Sequence, residues 1–218
     1  TADDPAQTYP LAIALDENDP DKLFFTCGDK RSNYICISDD KGENIIQKAL
    51  PCSVHGNEVG RATGDRLIYK NGRLYFGSQT AGIIYSEDMG ESWQSIDLFG
   101  EKNISLIWTD SEGKLFIAGC SGEANSPDGV TRGHTLYCST DGLKSFVPLT
   151  APDPVKYENS SYYGFVPQRI TSDSRYIYIT FASSGEVFYG GMGAYACDTG
   201  SLSGGKVYRY RIENGVTV

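Results

Sequence analysis

One eight-residue phrase recurs along this chain, and its spacing limits the fold more than any other feature. The clearest copy is Ser86-Glu-Asp88-Met-Gly90-Glu-Ser92-Trp93. An earlier copy, Ser38-Asp-Asp40-Lys-Gly42-Glu-Asn44-Ile45, carries Ile in place of Trp. A later one, Ser139-Thr-Asp141-Gly-Leu143-Lys-Ser145-Phe146, carries Phe there and its glycine one place early. The copies begin about fifty residues apart, the length of a module of four short strands. Repetition at that period reads as a β-propeller with one blade per module. A fourth copy falls at Tyr208-Arg-Tyr210. It is delayed by the glycine-rich stretch from Gly185 to Gly205 and lacks the Ser and Asp.

Between the copies lie short apolar runs rich in β-branched and aromatic residues. Leu11 to Leu15, Leu23 to Cys27 and Tyr34 to Ser38 form a first set, separated by Asp16 to Pro20, Gly28 to Lys30 and Asp39 to Gly42. Runs of this length bounded by Gly, Asp, Asn and Pro are strands and turns. Arg66 to Tyr69, Arg73 to Phe76 and Ile83 to Tyr85 repeat the pattern. So do Leu106 to Trp108, Lys114 to Ile117 and Leu136 to Cys138, and then Tyr176 to Phe181 and Lys206 to Arg211. No 3.6-residue periodicity extends past two turns. The chain is therefore expected to be all-β, a single partial propeller of about four four-stranded antiparallel blades, near residues 9–50, 51–97, 103–150 and 164–214.

Charge and composition exclude several functions. Of 218 residues, 19 are Lys or Arg and 28 are Asp or Glu, a net charge of −9. Nucleic acid is not an expected partner, because phosphate neutralisation needs a basic surface. No apolar run approaches the roughly 20 residues of a membrane helix. TADDPAQTYP, the first ten residues, has neither a basic start nor an apolar stretch, so no signal peptide is expected there. Six cysteines, Cys27, Cys36, Cys52, Cys120, Cys138 and Cys197, form no Cys-x-x-Cys pair, and His55 and His134 are too few for a zinc site. Neither a metal nor a cofactor is expected. The thiols read as buried strand residues, with one or two bridges in a secreted protein as the alternative.

The recurring phrase resembles the Asp box, or BNR repeat, of sialidases, other glycoside hydrolases and sorting receptors. Its chemistry is local. The Asp accepts backbone N–H groups of its own turn, two residues on, Gly supplies a positive φ, and the aromatic packs under the hairpin. Ser38, Asp40, Gly42, Ser86, Asp88, Gly90, Trp93, Ser139, Asp141 and Phe146 are thus expected to be structural, and the three Asp residues to brace turns rather than catalyse.

A second stretch narrows the resemblance. His55-Gly-Asn-Glu-Val-Gly-Arg-Ala-Thr-Gly-Asp-Arg-Leu67 is similar to the Gly-Asn-Glu-x-Gly-Arg-x-x-Gly-Glu-Arg-Leu block of glycoside hydrolase family 74, the xyloglucanases and related endo-β-1,4-glucanases. Gly56, Asn57, Glu58, Gly60, Arg61, Gly64, Arg66 and Leu67 match, and Asp65 replaces Glu. Upstream, Leu11 to Pro20 is similar to that family's strand and turn. Downstream, Tyr176 to Phe181, Gly190 to Tyr195 and Gly205 to Tyr208 are similar to its strand, glycine-rich loop and returning strand. The resemblance implies two seven-bladed propellers around a cleft, with one Asp from each supplying the acid and base of an inverting hydrolysis. Such a pair stands about 6.5–9.5 Å apart across one glycosidic bond. Both family Asp motifs lie outside the matched stretch, so no catalytic residue is assigned.

This chain is expected to be an internal part of the N-terminal propeller, contributing cleft wall and scaffold and inactive alone. The remaining blades or a second copy would complete the ring. The expected ligand is a polysaccharide or oligosaccharide, xyloglucan or another β-1,4-glucan, and the expected location is extracellular or at the cell surface. The turn Gly28 to Asn33 lacks the aromatic that family members place there for sugar.

Candidate substrate-binding residues are Asn57 and Arg61 in the specific block, Tyr162 and Tyr163 in the loop Asn159 to Gly164, and Tyr195 and Asp198 in the glycine-rich insertion. Loops on a rigid scaffold carry function. Arg61 or Arg66 pairing with Glu58 or Asp65 is the structural alternative. Trp108, inside an apolar strand, reads as core. Glycines 56, 60 and 64 do not make a phosphate loop, because no Lys-Ser/Thr follows. The rival function is a non-catalytic Asp-box propeller that binds glycan or protein, like a sortilin-type receptor module. A sialidase shares the boxes but needs three Arg on one carboxylate and a Tyr–Glu pair. Arg169 is one candidate, and the Phe-Arg-Ile-Pro start is missing.

Overall fold

The computed structural model describes residues 9–28, 33–54, 66–78, 80–100, 104–120, 135–149, 164–184, 206–212 and 216–217. All regular structure among them is strand. The first blade holds β1 (Tyr9–Asp16), β2 (Asp19–Gly28), β3 (Asn33–Ser38) and β4 (Ile46–Ala49). The second holds β5 (Leu67–Lys70), β6 (Arg73–Ser78), β7 (Gly82–Ser86) and β8 (Gln94–Ile96). β9 (Ile104–Thr109), β10 (Phe116–Cys120), β11 (Thr135–Ser139) and β12 (Val147–Leu149) make the third. The fourth comprises β13 (Gly164–Ser172), β14 (Tyr176–Ser184), β15 (Lys206–Ile212) and β16 (Val216–Thr217). In every blade the strands lie side by side in chain order, paired antiparallel.

Turn chemistry explains the hairpins. Asn71-Gly72, with φ of 51° and 80°, joins β5 to β6. Two left-handed residues in succession match the twist of the flanking strands, and Asn-Gly tolerates them at low cost.

The apolar side chains alternate between two faces, and both faces of the middle blades are buried. Phe24, Ile35, Ile37 and Leu50 of the first blade meet Leu67, Leu74, Phe76 and Ile84 of the second. From the second blade's other face, Tyr75, Ile83 and Leu98 meet Ile104, Ile107, Phe116 and Ala118 of the third. Leu106, Ile117, Leu136 and Cys138 then meet Ile177, Ile179 and Tyr210 of the fourth. This two-sided burial is why strands such as Leu74-Tyr-Phe76 read as unbroken apolar runs. Each such side chain contributes about 1.5–3 kcal/mol when fully buried. Four sheets packed face to face in sequence are the blades of a propeller.

Polar contacts latch neighbouring blades at equivalent turns. Lys70 Nζ donates to the Glu17 carboxylate across the first interface. Asn71 Nδ2 donates to the Glu112 carbonyl at 3.2 Å across the second. Lys48 Nζ on β4 donates to the Met89 carbonyl and to Glu91, each at 2.8 Å. The end blades differ from the middle ones. Ile13 and Leu15 are 66% and 59% exposed, on the side of β1 opposite Ala12 and Ala14, and Val207 on β15 is 67% exposed.

Candidate functional site

The three recurring phrases close the third strands β3, β7 and β11 with one shared network. In the second copy, Ser86 Oγ donates to Asp88 Oδ1 at 2.8 Å and accepts the Gly90 N–H at 2.7 Å. Asp88 Oδ1 accepts the Ser92 N–H at 2.8 Å, and Oδ2 accepts the Ser92 hydroxyl at 2.5 Å. The first copy repeats this through Ser38, Asp40, Gly42 and Asn44. In the third, Ser139, Asp141, Leu143 and Ser145 do the same. The bonded N–H lies four residues on rather than two, so each carboxylate spans the whole loop. Two successive residues are left-handed in each copy: Lys41-Gly42, Met89-Gly90 and Gly142-Leu143. That explains the early glycine of the third copy, where Leu143 takes the second left-handed place at φ 71°.

Hydrogen bonds to the charged form hold these acids low. The Ser92 hydroxyl and N–H bring Asp88 down to about 2. Ser145, through the same two groups, brings Asp141 to about 2. The Asn44 N–H and side-chain amide, with Ser38, lower Asp40. A general acid needs the opposite shift, towards the working pH. The chemistry open to these groups is bracing.

The rings of the second and third phrases pack further than their own turns. The Trp93 ring stays beside its own turn, where a Cβ on Gly90 would meet it at 3.7 Å, and it also reaches the interface with the preceding blade. Trp93 joins the layer between the first and second blades, and Phe146 joins the layer between the second and third. Ile45, at the same place in the first copy, is 49% exposed. The glycine follows the ring. A Cβ on Gly90 would stand 2.9 Å from Cγ2 of Ile35 in the first blade, whereas one on Gly42 would meet only Leu23, at 3.7 Å.

Two concavities among the described residues offer binding surfaces. The first strands of three blades surround a cavity of about 220 Å³ lined by Ile13, Leu15, Ile68, Lys70, Ile107 and Trp108. Its Glu17 carboxylate is paired with Lys70. Trp108 also packs against the layer between the third and fourth blades. A groove of about 310 Å³ lies between the second and third blades, with Arg73, Tyr75, Tyr85, Asp97 and Lys144 among its walls. The Arg73 guanidinium sits over the Tyr85 ring at 5.6 Å, which occupies that aromatic face. Neither concavity brings together two unengaged carboxyls at hydrolytic spacing. Among the described residues no group of three His, Cys, Asp or Glu is placed to hold a metal ion.

Asn57, Arg61, Tyr162, Tyr163, Tyr195 and Asp198 lie outside the described residues, as do Glu58, Asp65 and Cys197. Of the specific block, Arg66 and Leu67 are described. Arg66 is buried, 6% exposed. Its Nη2 donates to the Val54 carbonyl at 3.0 Å, and its guanidinium lies 5.5 Å from the Phe76 ring centre. Burial lowers it to about 10, with Cys52 alongside opposing the shift. Arg169 is exposed on β13, where its N–H donates to Thr180 Oγ1. The lining role of Glu17, Lys70 and Ile13 has no sequence signal of its own, because it depends on three blades converging.

No family model matches the chain. Over 119 residues it is 30% identical to an oligoxyloglucan-reducing end-specific xyloglucanase of Emericella nidulans, covering 49% of this chain and 15% of that protein. Over 155 residues it is 28% identical to a xyloglucanase of Paenibacillus, covering 60% of this chain and 15% of that protein. The structure matches that of a glycoside hydrolase family 74 xyloglucanase of Xanthomonas campestris with a TM-score of 0.61 and 21% identity, over 92% of this chain and 29% of that one. The chain is thus similar to xyloglucanases in sequence and to a family 74 enzyme in fold. It spans about 15% of the length of those two curated relatives.

Proposed function

We propose that this chain is a section of a glycoside hydrolase propeller that acts on xyloglucan or another β-1,4-glucan outside the cell. The observation that carries the reading is the sequence similarity to xyloglucanases of Emericella nidulans and Paenibacillus. The propeller fold agrees with it. In this reading the four blades hold part of the cleft wall, and Asn57, Arg61, Tyr162, Tyr163, Tyr195 and Asp198 contact sugar. The two carboxyls of an inverting hydrolysis come from elsewhere in the complete protein. The box acids brace turns, which their lowered pKa values and saturated hydrogen bonding support.

The test uses the complete protein and xyloglucan, with release of reducing ends followed in time and the anomer of the first product read by NMR. Hydrolysis with inversion is expected, and the four-blade chain by itself should release nothing. Titration of the four-blade chain with xyloglucan oligosaccharides checks its share of the cleft. A complete protein that neither cleaves nor binds β-1,4-glucan would transfer the assignment to a binding propeller.

A further inference from the structure

Two of the buried cysteines stand apart from the rest. Cys27 on β2 and Cys36 on β3 are 3% and 0% exposed. Their strands are antiparallel neighbours, with Cys27 opposite Tyr34 and Phe25 opposite Cys36. The two thiols are therefore diagonal neighbours across one strand pair. Phe24, Ile35 and Ile37 point into the layer shared with the second blade. By strand alternation Cys27 and Cys36 point together to the opposite face.

The sulfurs are 2.7 Å apart. Non-bonded carbon atoms settle at about 3.5–4.0 Å, and sulfur is larger than carbon. A covalent S–S bond is about 2.05 Å. The pair thus stands inside non-bonded contact and close to bonding distance.

We propose that Cys27 and Cys36 form a disulfide across β2 and β3 when the chain folds in an oxidising medium, with glutathione disulfide or a comparable small disulfide as oxidant. One protein thiolate attacks a glutathione sulfur and releases one glutathione thiolate. The second protein thiolate then displaces the other glutathione. Two protein thiols and one glutathione disulfide become one protein disulfide and two glutathione thiols, which take up the two protons. The bond must form before the blade closes. The attacking species is the thiolate, and in the folded chain burial and the neighbouring Cys27 push the Cys36 thiol up. Burial also keeps a completed bridge from small reductants.

The sequence suits a direct test, because Lys22, Lys30, Arg31 and Lys41 place the two cysteines on separate tryptic peptides, Leu23 to Lys30 and Ser32 to Lys41. The full chain is unfolded in reductant, refolded in reduced and oxidised glutathione, alkylated in denaturant, digested without reduction and read by mass spectrometry. The expected result is those two peptides joined, lighter by two hydrogens than their sum, with both thiols lost to alkylation. Alkylation of both cysteines, glutathione on each, or a bridge from either to a third cysteine overturns the proposal. A parallel sample, kept folded and reduced and then given the same glutathione mixture, should form the bridge more slowly. Equal rates would overturn the claim that it forms before closure. In the Cys36→Ser variant Cys27 should remain fully alkylatable, and the wild-type map decides the matter even if that variant does not fold.

Discussion

Replacing Gly90 by Ala should cost far more than the same change at Gly42, although both occupy one place in the same repeated phrase. Both are left-handed, with φ of 81° and 92°. An L-residue in that region costs roughly 1–2 kcal/mol. At Gly42 nothing further is added, since its Cβ would meet only Leu23, at an ordinary 3.7 Å. At Gly90 the new methyl would lie 2.9 Å from Cγ2 of Ile35, which is fully buried. Ile is branched at Cβ and stiff, so the interface must part, at about 1–3 kcal/mol for overpacking. The sum is about 2–5 kcal/mol for Gly90→Ala against about 1–2 kcal/mol for Gly42→Ala. In a chain of this size each kcal/mol moves Tm by about 2–4 °C. Guanidinium and thermal unfolding of both variants measure the difference. Ile35→Ala removes Cγ2, and in that background Gly90→Ala should fall to the cost of backbone strain alone. Ile35→Val keeps Cγ2 and should give no relief. Equal losses at both glycines, or additivity with Ile35→Ala, would refute the interlock.

Other consequences can be checked with similar means. Asp88 and Asp141 are held at about 2, below the ordinary value of about 3.9. Their stabilising share is therefore complete above about pH 4 and is lost as pH falls towards 2. The unfolding midpoint should drop over that window, and Asp88→Asn with Asp141→Asn should flatten the drop. Trp93→Ala should cost about 3–5 kcal/mol as a truncated interface ring, whereas Ile45→Ala, at a half-exposed site, should stay within about 0.5 kcal/mol. Phe76, fully buried in the first interface, should also lose about 3–5 kcal/mol on change to Ala, measured by equilibrium unfolding.

The blades are readable in the sequence because their cause is local. Short apolar runs, turn residues and a repeated Ser-x-Asp phrase act within a few residues of themselves, and the strands found at Asn33–Ser38, Gly82–Ser86 and Thr135–Ser139 each end on that phrase. The destination of the phrase's ring is not readable in the same way. Nothing in Glu91-Ser92-Trp93 encodes that the indole crosses to the preceding blade, since that depends on Ile35 arriving from more than fifty residues earlier. The register that brings Cys27 onto Cys36 is likewise a property of paired strands, and no Cys-x-x-Cys spacing announces it. All six candidate sugar contacts fall outside the described residues, and the specific block enters the described fold through Arg66 and Leu67.

The backward docking of Trp93 and Phe146 gives the propeller a direction. Each ring settles on a surface made by residues that precede it in the chain, so during synthesis the seat is finished before its occupant emerges. A ribosome can therefore assemble the blades in the order they appear, with no ring waiting for a later partner. Removing the leading blade would strand the indole of the next, whereas removing the trailing one would leave both rings seated.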